Sequence, residues 1–154
     1  MDNNFVKKYN YNTPIGEIWI AEKENKISQI SFDKIENGEI SETPLIKKTI
    51  KQLSEYFNKT RKVFDIPLLL EGTDFQKKVW KELIKIPYGK TATYKDIAIA
   101  INNPKSSRAV GMANNKNPIL IIIPCHRIIG SNGDLTGYAG GLEIKKYLLN
   151  LEKN

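Results

Sequence analysis

The chain holds one cysteine and one histidine, and they are neighbours: Cys125 and His126 stand in the run Asn117-Pro118-Ile119-Leu120-Ile121-Ile122-Ile123-Pro124-Cys125-His126-Arg127-Ile128-Ile129-Gly130. A lone cysteine is usually a small hydrophobe, and a lone histidine more often a core residue than a catalyst. Their adjacency beside Arg127 favours chemistry, because the thiolate is the nucleophile and a nearby imidazole or guanidinium lowers the thiol pKa. Adjacent residues of an extended segment face opposite ways. For His126 to take the Cys125 proton, either a water must relay it or the backbone must bend. An imidazole that accepts a proton also needs a partner on its other nitrogen. The acids of this half are Asp74, Glu82, Asp96, Asp134, Glu143 and Glu152. Glu152 ends a helix that begins at Leu142 and could fold back over the site, but it is one choice among six.

The elements that must carry this site divide at Glu71-Gly72-Thr73. Residues 1–72 read as α+β. Ile15–Ala21 and Ile27–Phe32 form two strands about the turn Lys23-Glu24-Asn25-Lys26. Helical spacing of Leu45, Ile46, Thr49, Ile50, Leu53, Tyr56 and Phe57 predicts an amphipathic helix over 44–58. Val63–Leu68 returns as a short strand. Residues 73–154 read as mostly helical. Thr73 and Gln76 make a capping box, followed by Phe75, Val79 and Leu83 at every fourth position up to Pro87-Tyr88-Gly89. Thr93-Tyr94-Lys95-Asp96 opens a second helix, and Ser106 to Asn114 forms a third. The last two outline a helix-turn-helix, a weak signal alone. Ser106, Ala109 and Ala113 share a face of small side chains beside Gly111, suited to close approach or to tight packing. The apolar run 119–123 is expected to be a buried strand or extended segment delivering Cys125.

Charge is divided in the same way. The chain of 154 residues has a net charge of +7; residues 1–72 carry 11 basic and 11 acidic side chains, whereas residues 73–154 carry 13 and 6. A basic half beside a neutral one suggests an anionic partner, nucleic acid first, although solubility alone could explain it. One cysteine excludes an intrachain disulfide, and one Cys with one His excludes an all-Cys/His zinc site of four ligands. No apolar run approaches the ~20 residues that span a bilayer, and the first residues lack the pattern of a signal peptide. A protein of the cytoplasm is expected.

From Phe75 to Glu152 the chain closely resembles the O6-alkylguanine-DNA alkyltransferase family. The resemblance rests on Asn117-Pro118 upstream of Pro124-Cys125-His126-Arg127-Ile128-Ile129-Gly130, on Thr136-Gly137-Tyr138-Ala139-Gly140-Gly141-Leu142, on Tyr94 in Thr-Tyr-Lys-Asp-Ile-Ala, and on Arg108-Ala109-Val110-Gly111. It implies a repair protein that flips an alkylated guanine, and less firmly an alkylated thymine, out of double-stranded DNA and takes the alkyl group onto Cys125. His126 would accept the thiol proton through a water and Glu152 would hold His126. Tyr94 would hydrogen-bond the flipped base, and Asn117 would fix the turn carrying the site. Arg108 would enter the space the base vacates, with Ser106, Ser107, Ala109, Gly111, Asn115 and Arg127 also on the DNA side. Ile128, Tyr138, Ala139 and Gly140 would complete the base pocket with Tyr94; Ala139 replaces the serine of some members. The implied fold is a small N-terminal antiparallel sheet domain of ribonuclease-H-like outline plus a helical domain with a helix-turn-helix, acting as a monomer without cofactor or metal. The zinc that some members bind in the first domain is not expected, since that half has no Cys and no His.

The implied chemistry suits the composition. Reaching an atom inside the duplex requires extruding the nucleotide, a wedge side chain is a known minor-groove device, and positive charge supplies sequence-independent affinity. A thioether on Cys125 could not be resolved by a second cysteine, so each molecule would act once. Three rival functions make different demands on these residues. Alkyltransferase-like proteins that bind without transferring replace the reactive cysteine, which Cys125 argues against. A cysteine hydrolase needs an oxyanion hole and an orienting residue, and turns over. A helix-turn-helix regulator with an inert thiol would bind a particular sequence.

Overall fold

The computed structural model describes residues 5–153. The chain forms two compact units, Met1–Glu71 and Gly72–Asn154. In the first, β1 (Val6–Thr13), β2 (Gly16–Lys23), β3 (Lys26–Ser31) and β4 (Glu39–Ile40) make a sheet in the order β3-β2-β1-β4, and α1 (Pro44–Phe57) packs on it. The hairpin β2–β3 turns on Glu24 and Asn25, both at positive φ, which matches the twist of its strands. β2 is central and buried on both faces through Ile18, Trp19, Ile20 and Ala21. Thr43 caps α1 by accepting a bond from Ile46 N at 3.0 Å.

One strand is added to the expectations for this unit and two of them are corrected. β1 is a full strand, paired from Val6↔Lys23 to Thr13↔Gly16; its Lys, Tyr and Asn residues hide the alternation of an apolar strand. The sheet is mixed rather than purely antiparallel, because β4 runs parallel to β1. Among the described residues Val63–Leu68 makes only one bridge, Leu68 to Ile27. Pro67 has no N–H to offer a ladder, and Gln52 Oε1 takes the Asp65 N–H at 2.9 Å instead.

The second unit is built from α2 (Asp74–Ile84), β5 (Ala92–Thr93), α3 (Tyr94–Ala100), α4 (Ser107–Asn115), β6 (Ile128–Ile129) and α5 (Leu142–Glu152). Thr73 and Gln76 form the expected capping box, as do Thr93 and Asp96. α4 packs on α2 and α3, and the buried Trp80 indole of α2 donates to Ala113 O at 2.9 Å. Gly72 lies so close to Trp80 that a Cβ would stand 2.6 Å from its ring. β5 and β6 pair in parallel, Ala92 with Ile128 and Thr93 with Ile129, so the start of α3 is tied to the end of the Cys125 segment. No helix among the described residues is long and apolar enough to cross a membrane.

Candidate active site

The apolar run before Cys125 is a buried turn, not the expected strand or extended segment. Ile122 N donates to Leu120 O at 2.8 Å across Ile121, whose φ is +71°. A β-branched residue at positive φ is costly and is kept only where its surroundings over-determine it. Asn117 is the main restraint: its Nδ2 donates to Ile123 O at 2.8 Å and its Oδ1 accepts from Ile119 N at 2.9 Å. Pro124 then adopts φ −81°, ψ 62° with Cys125 N bonded to Ile123 O, an inverse γ-turn. Cys125–Arg127 continue as one turn of 3₁₀ helix. The backbone is therefore bent at the thiol, and the opposite-face rule for extended chain does not apply.

Glu152 is the acid that meets His126. Its Oε2 lies 2.7 Å from His126 Nε2, with both side chains buried. The same carboxylate accepts from Arg127 Nε at 2.8 Å, from Arg127 Nη2 at 3.0 Å and from the Gly89 N–H at 3.3 Å. Gly89, at φ +79°, brings its backbone so near α5 that a Cβ would stand 3.1 Å from Glu152 O. With Nε2 donating to the carboxylate, the neutral imidazole presents Nδ1 as an acceptor. Among the described residues Nδ1 is buried and has no hydrogen-bond partner. Desolvation lowers the His126 pKa, against the opposing pull of Glu152, so the ring is neutral at pH 7.

Two expectations about cations are overturned here. Arg127, expected on the DNA side, is 6% exposed, bonded twice to Glu152, and donates Nη1 to Ile86 O at 2.7 Å. A guanidinium spent on a buried carboxylate has no fork left for a phosphate. The thiol pKa moves against the expected fall. Cys125 is 3% exposed, and burial pushes its thiol up to about 11; the Asn117 amide and the Lys145 ammonium oppose this only in part.

Lys145 escaped the sequence reading. It is buried on α5, and its Nζ donates to Thr136 O at 2.7 Å. Lys145, Leu148 and Glu152 lie at i, i+3 and i+7 on the inward face of the helix. That periodicity would have found Lys145 once Glu152 was chosen. Thr136 was missed too; its Oγ1 is hydrogen-bonded to Tyr94 Oη. Tyr94 is half-buried, and Gly111 of α4 faces its ring, where an added Cβ would stand 3.5 Å away. Tyr138 is close enough to Cys125 that the thiolate charge adds to burial in raising its pKa. Ile128 is fully buried, Gly140 half-buried and Ala139 exposed.

The outward face of α4 carries Arg108, Ala109, Met112 and Asn115, all exposed, with Met112 at 66%. Ser106 and Ser107 are half-buried at its start, and Ser106 Oγ donates to Asn103 O at 2.6 Å. The face of small residues is not uniform: Ala113 is buried beneath Trp80, so Ser106, Ala109 and Ala113 divide between packing and exposure. A cavity of about 330 Å³ lies behind Glu152, among Gly89, Ile129, Leu135 and Leu149, and does not reach Cys125.

This constellation has relatives. The DNA-binding domain of 6-O-methylguanine DNA methyltransferase matches residues 74–154, and the ribonuclease-like domain of the same protein matches residues 6–70. A methylated-DNA–protein-cysteine methyltransferase of Methanosarcina barkeri is 51% identical over 92% of this chain and 94% of its own. This chain belongs to the 6-O-methylguanine DNA methyltransferase family. A constitutive family enzyme of Bacillus subtilis is 47% identical over 92% of both chains. The crystal structure of Mycobacterium tuberculosis OGT in complex with DNA superposes with a TM-score of 0.89 at 40% identity, covering 96% of this chain and 92% of that one. Membership covers both units, including the family's ribonuclease-like first domain.

Proposed function

We propose that this chain is a methylated-DNA–protein-cysteine methyltransferase, which repairs O6-alkylguanine in double-stranded DNA by moving the alkyl group onto Cys125. The observation that carries the reading is the buried Glu152–His126 pair at 2.7 Å beside the only cysteine. Glu152 holds the proton on Nε2, so Nδ1 can receive the thiol proton through a water. The sulfur then attacks the alkyl carbon. A carbon–sulfur bond forms, the bond from that carbon to guanine O6 breaks, and the electron pair leaves on the purine. Tyr94 hydrogen-bonds the base and offsets that charge. Main-chain groups of Cys125, Ile128 and Ala139 read the guanine edge. The product is a thioether with no second thiol to resolve it, so each molecule acts once.

DNA is approached by α4. A minor groove is only about 6 Å wide, which suits the short side chains of Ser107 and Ala109 near the exposed Arg108. Arg108 enters the stack where the base has left. Extrusion costs a few kcal/mol, less for a damaged pair, and the cationic second half contributes salt-sensitive attraction to phosphates. The match to the M. tuberculosis protein crystallised with DNA supports this approach.

The test is intact mass after incubation with a duplex containing O6-methylguanine. A stoichiometric gain of one methylene on Cys125, absent in Cys125→Ser, is expected. An unchanged mass with the lesion intact refutes the reading.

A further inference from the structure

Tyr94 and Thr136 are 42 residues apart, yet their hydroxyls share a hydrogen bond in which either can donate. Three contacts restrict that pair. Lys145 Nζ, buried on α5, holds the Thr136 carbonyl at 2.7 Å and so fixes residue 136 independently of its side chain. Gly111 backs the Tyr94 ring on the side of α4. The capping box of Thr93 and Asp96 fixes the backbone from which Tyr94 springs. A phenol and an aliphatic hydroxyl each own one proton and can accept more. Only two arrangements are open: Tyr94 donates to Thr136, or Thr136 donates to Tyr94. In the first, the tyrosine proton is occupied. In the second, it is free to point at a base.

We propose that Thr136 is a positioning residue for alkyl transfer: its hydroxyl donates to Tyr94 Oη and thereby aims the phenol proton at the departing purine. This rests on the transferase reading above. Base binding selects the second arrangement and creates a chain from Thr136 O–H to Tyr94 O–H to the base. Hydrogen bonds in such a chain polarise one another, so the phenol becomes a better donor as negative charge develops on the purine. Thr136 never touches the substrate; it acts through Tyr94, and Lys145 keeps it in place.

The test is single-turnover methyl transfer from an O6-methylguanine duplex, read as the maximal rate constant and the half-saturating DNA concentration. Thr136→Val keeps the shape and removes the hydroxyl. It should lower the maximal rate roughly 3- to 10-fold, the range of one neutral hydrogen bond, and leave half-saturation within about twofold. Thr136→Ser should restore the rate. In a Tyr94→Phe background Thr136→Val should add less than about a twofold loss. A Thr136→Val protein that transfers at the wild-type rate overturns the proposal, as does an equal loss in the Tyr94→Phe background. Thr136→Ala serves for the same comparisons if the valine variant does not fold. A wild-type protein that gains no methyl group refutes the transferase reading itself, a different outcome from a normal wild type with an indifferent Thr136.

Discussion

Replacing Glu152 by glutamine isolates what the buried carboxylate does. Its two oxygens accept from His126 Nε2 at 2.7 Å, from Arg127 Nε and Nη2 at 2.8 and 3.0 Å, and from the Gly89 N–H at 3.3 Å. An amide keeps one oxygen, but its NH₂ must oppose one of those donors. The Arg127 guanidinium also loses its counter-charge while remaining buried. Removing one partner of a buried pair costs about 3–5 kcal/mol, and the oxygen that remains puts this case at the lower end, about 3 kcal/mol. Each unit has one tryptophan, Trp19 in the first and Trp80 in the second. Urea unfolding followed by Trp80 fluorescence in a Trp19→Phe background therefore reports the unit that holds the site. With a denaturant slope near ~1.5 kcal/mol/M, the midpoint should fall by about 2 M. Adding Arg127→Met should recover much of that loss, because the uncompensated charge is then gone. A shift under ~0.3 M, or an undiminished loss beside Arg127→Met, refutes the argument that charge burial holds the site.

Asn117→Ala leaves the buried Ile119 N–H without its acceptor at 2.9 Å, a loss of about 2–3 kcal/mol in the same unfolding assay; a shift below about 0.5 kcal/mol would mean that Asn117 does not hold the turn. The two titratable groups of the site act on stability with opposite pH signs. The His126 pKa is depressed by burial, so the unfolded chain binds the extra proton first and stability falls as pH drops below the unfolded value of about 6.5. The Cys125 pKa is raised from 9.0 to about 11, so its contribution is full below pH 9 and is lost as pH rises through 11. That loss amounts to about 2–3 kcal/mol. It should appear as the stability difference between wild type and Cys125→Ser narrowing over pH 9 to 11, and a constant difference would contradict a buried neutral thiol.

Local patterns were legible wherever one element explains itself. The capping boxes at Thr73 and Thr93 mark the starts of α2 and α3, and the spacing of Leu45 to Phe57 marks α1. Patterns failed where a distant partner decides. β1 carries Lys8, a polar residue on a buried position, because its ammonium finds the Ile35 and Glu36 carbonyls. The apolar run 119–123 has strand composition, yet the two hydrogen bonds of Asn117 close it into a turn that puts Ile121 at positive φ. Periodicity counts apolar residues and is blind to a side-chain amide that replaces the ladder.

The site's electrostatics make the same point more sharply. The cation next to the histidine in sequence, Arg127, does not lower the thiol pKa, because Glu152 neutralises it from 25 residues away. The cation that does act on Cys125 is Lys145, brought by a different helix. Its effect is too small to offset the loss of water around the sulfur. Proximity along the chain therefore misjudges a thiol whenever the neighbouring charge already has a buried counter-ion: what remains is desolvation, and the sign of the shift reverses. In the proposed transfer, deprotonation at neutral pH comes from an acceptor in the site rather than from the standing field. The neutral His126 ring, with Nε2 tied to Glu152 and Nδ1 unpartnered among the described residues, has the protonation state that such a transfer requires.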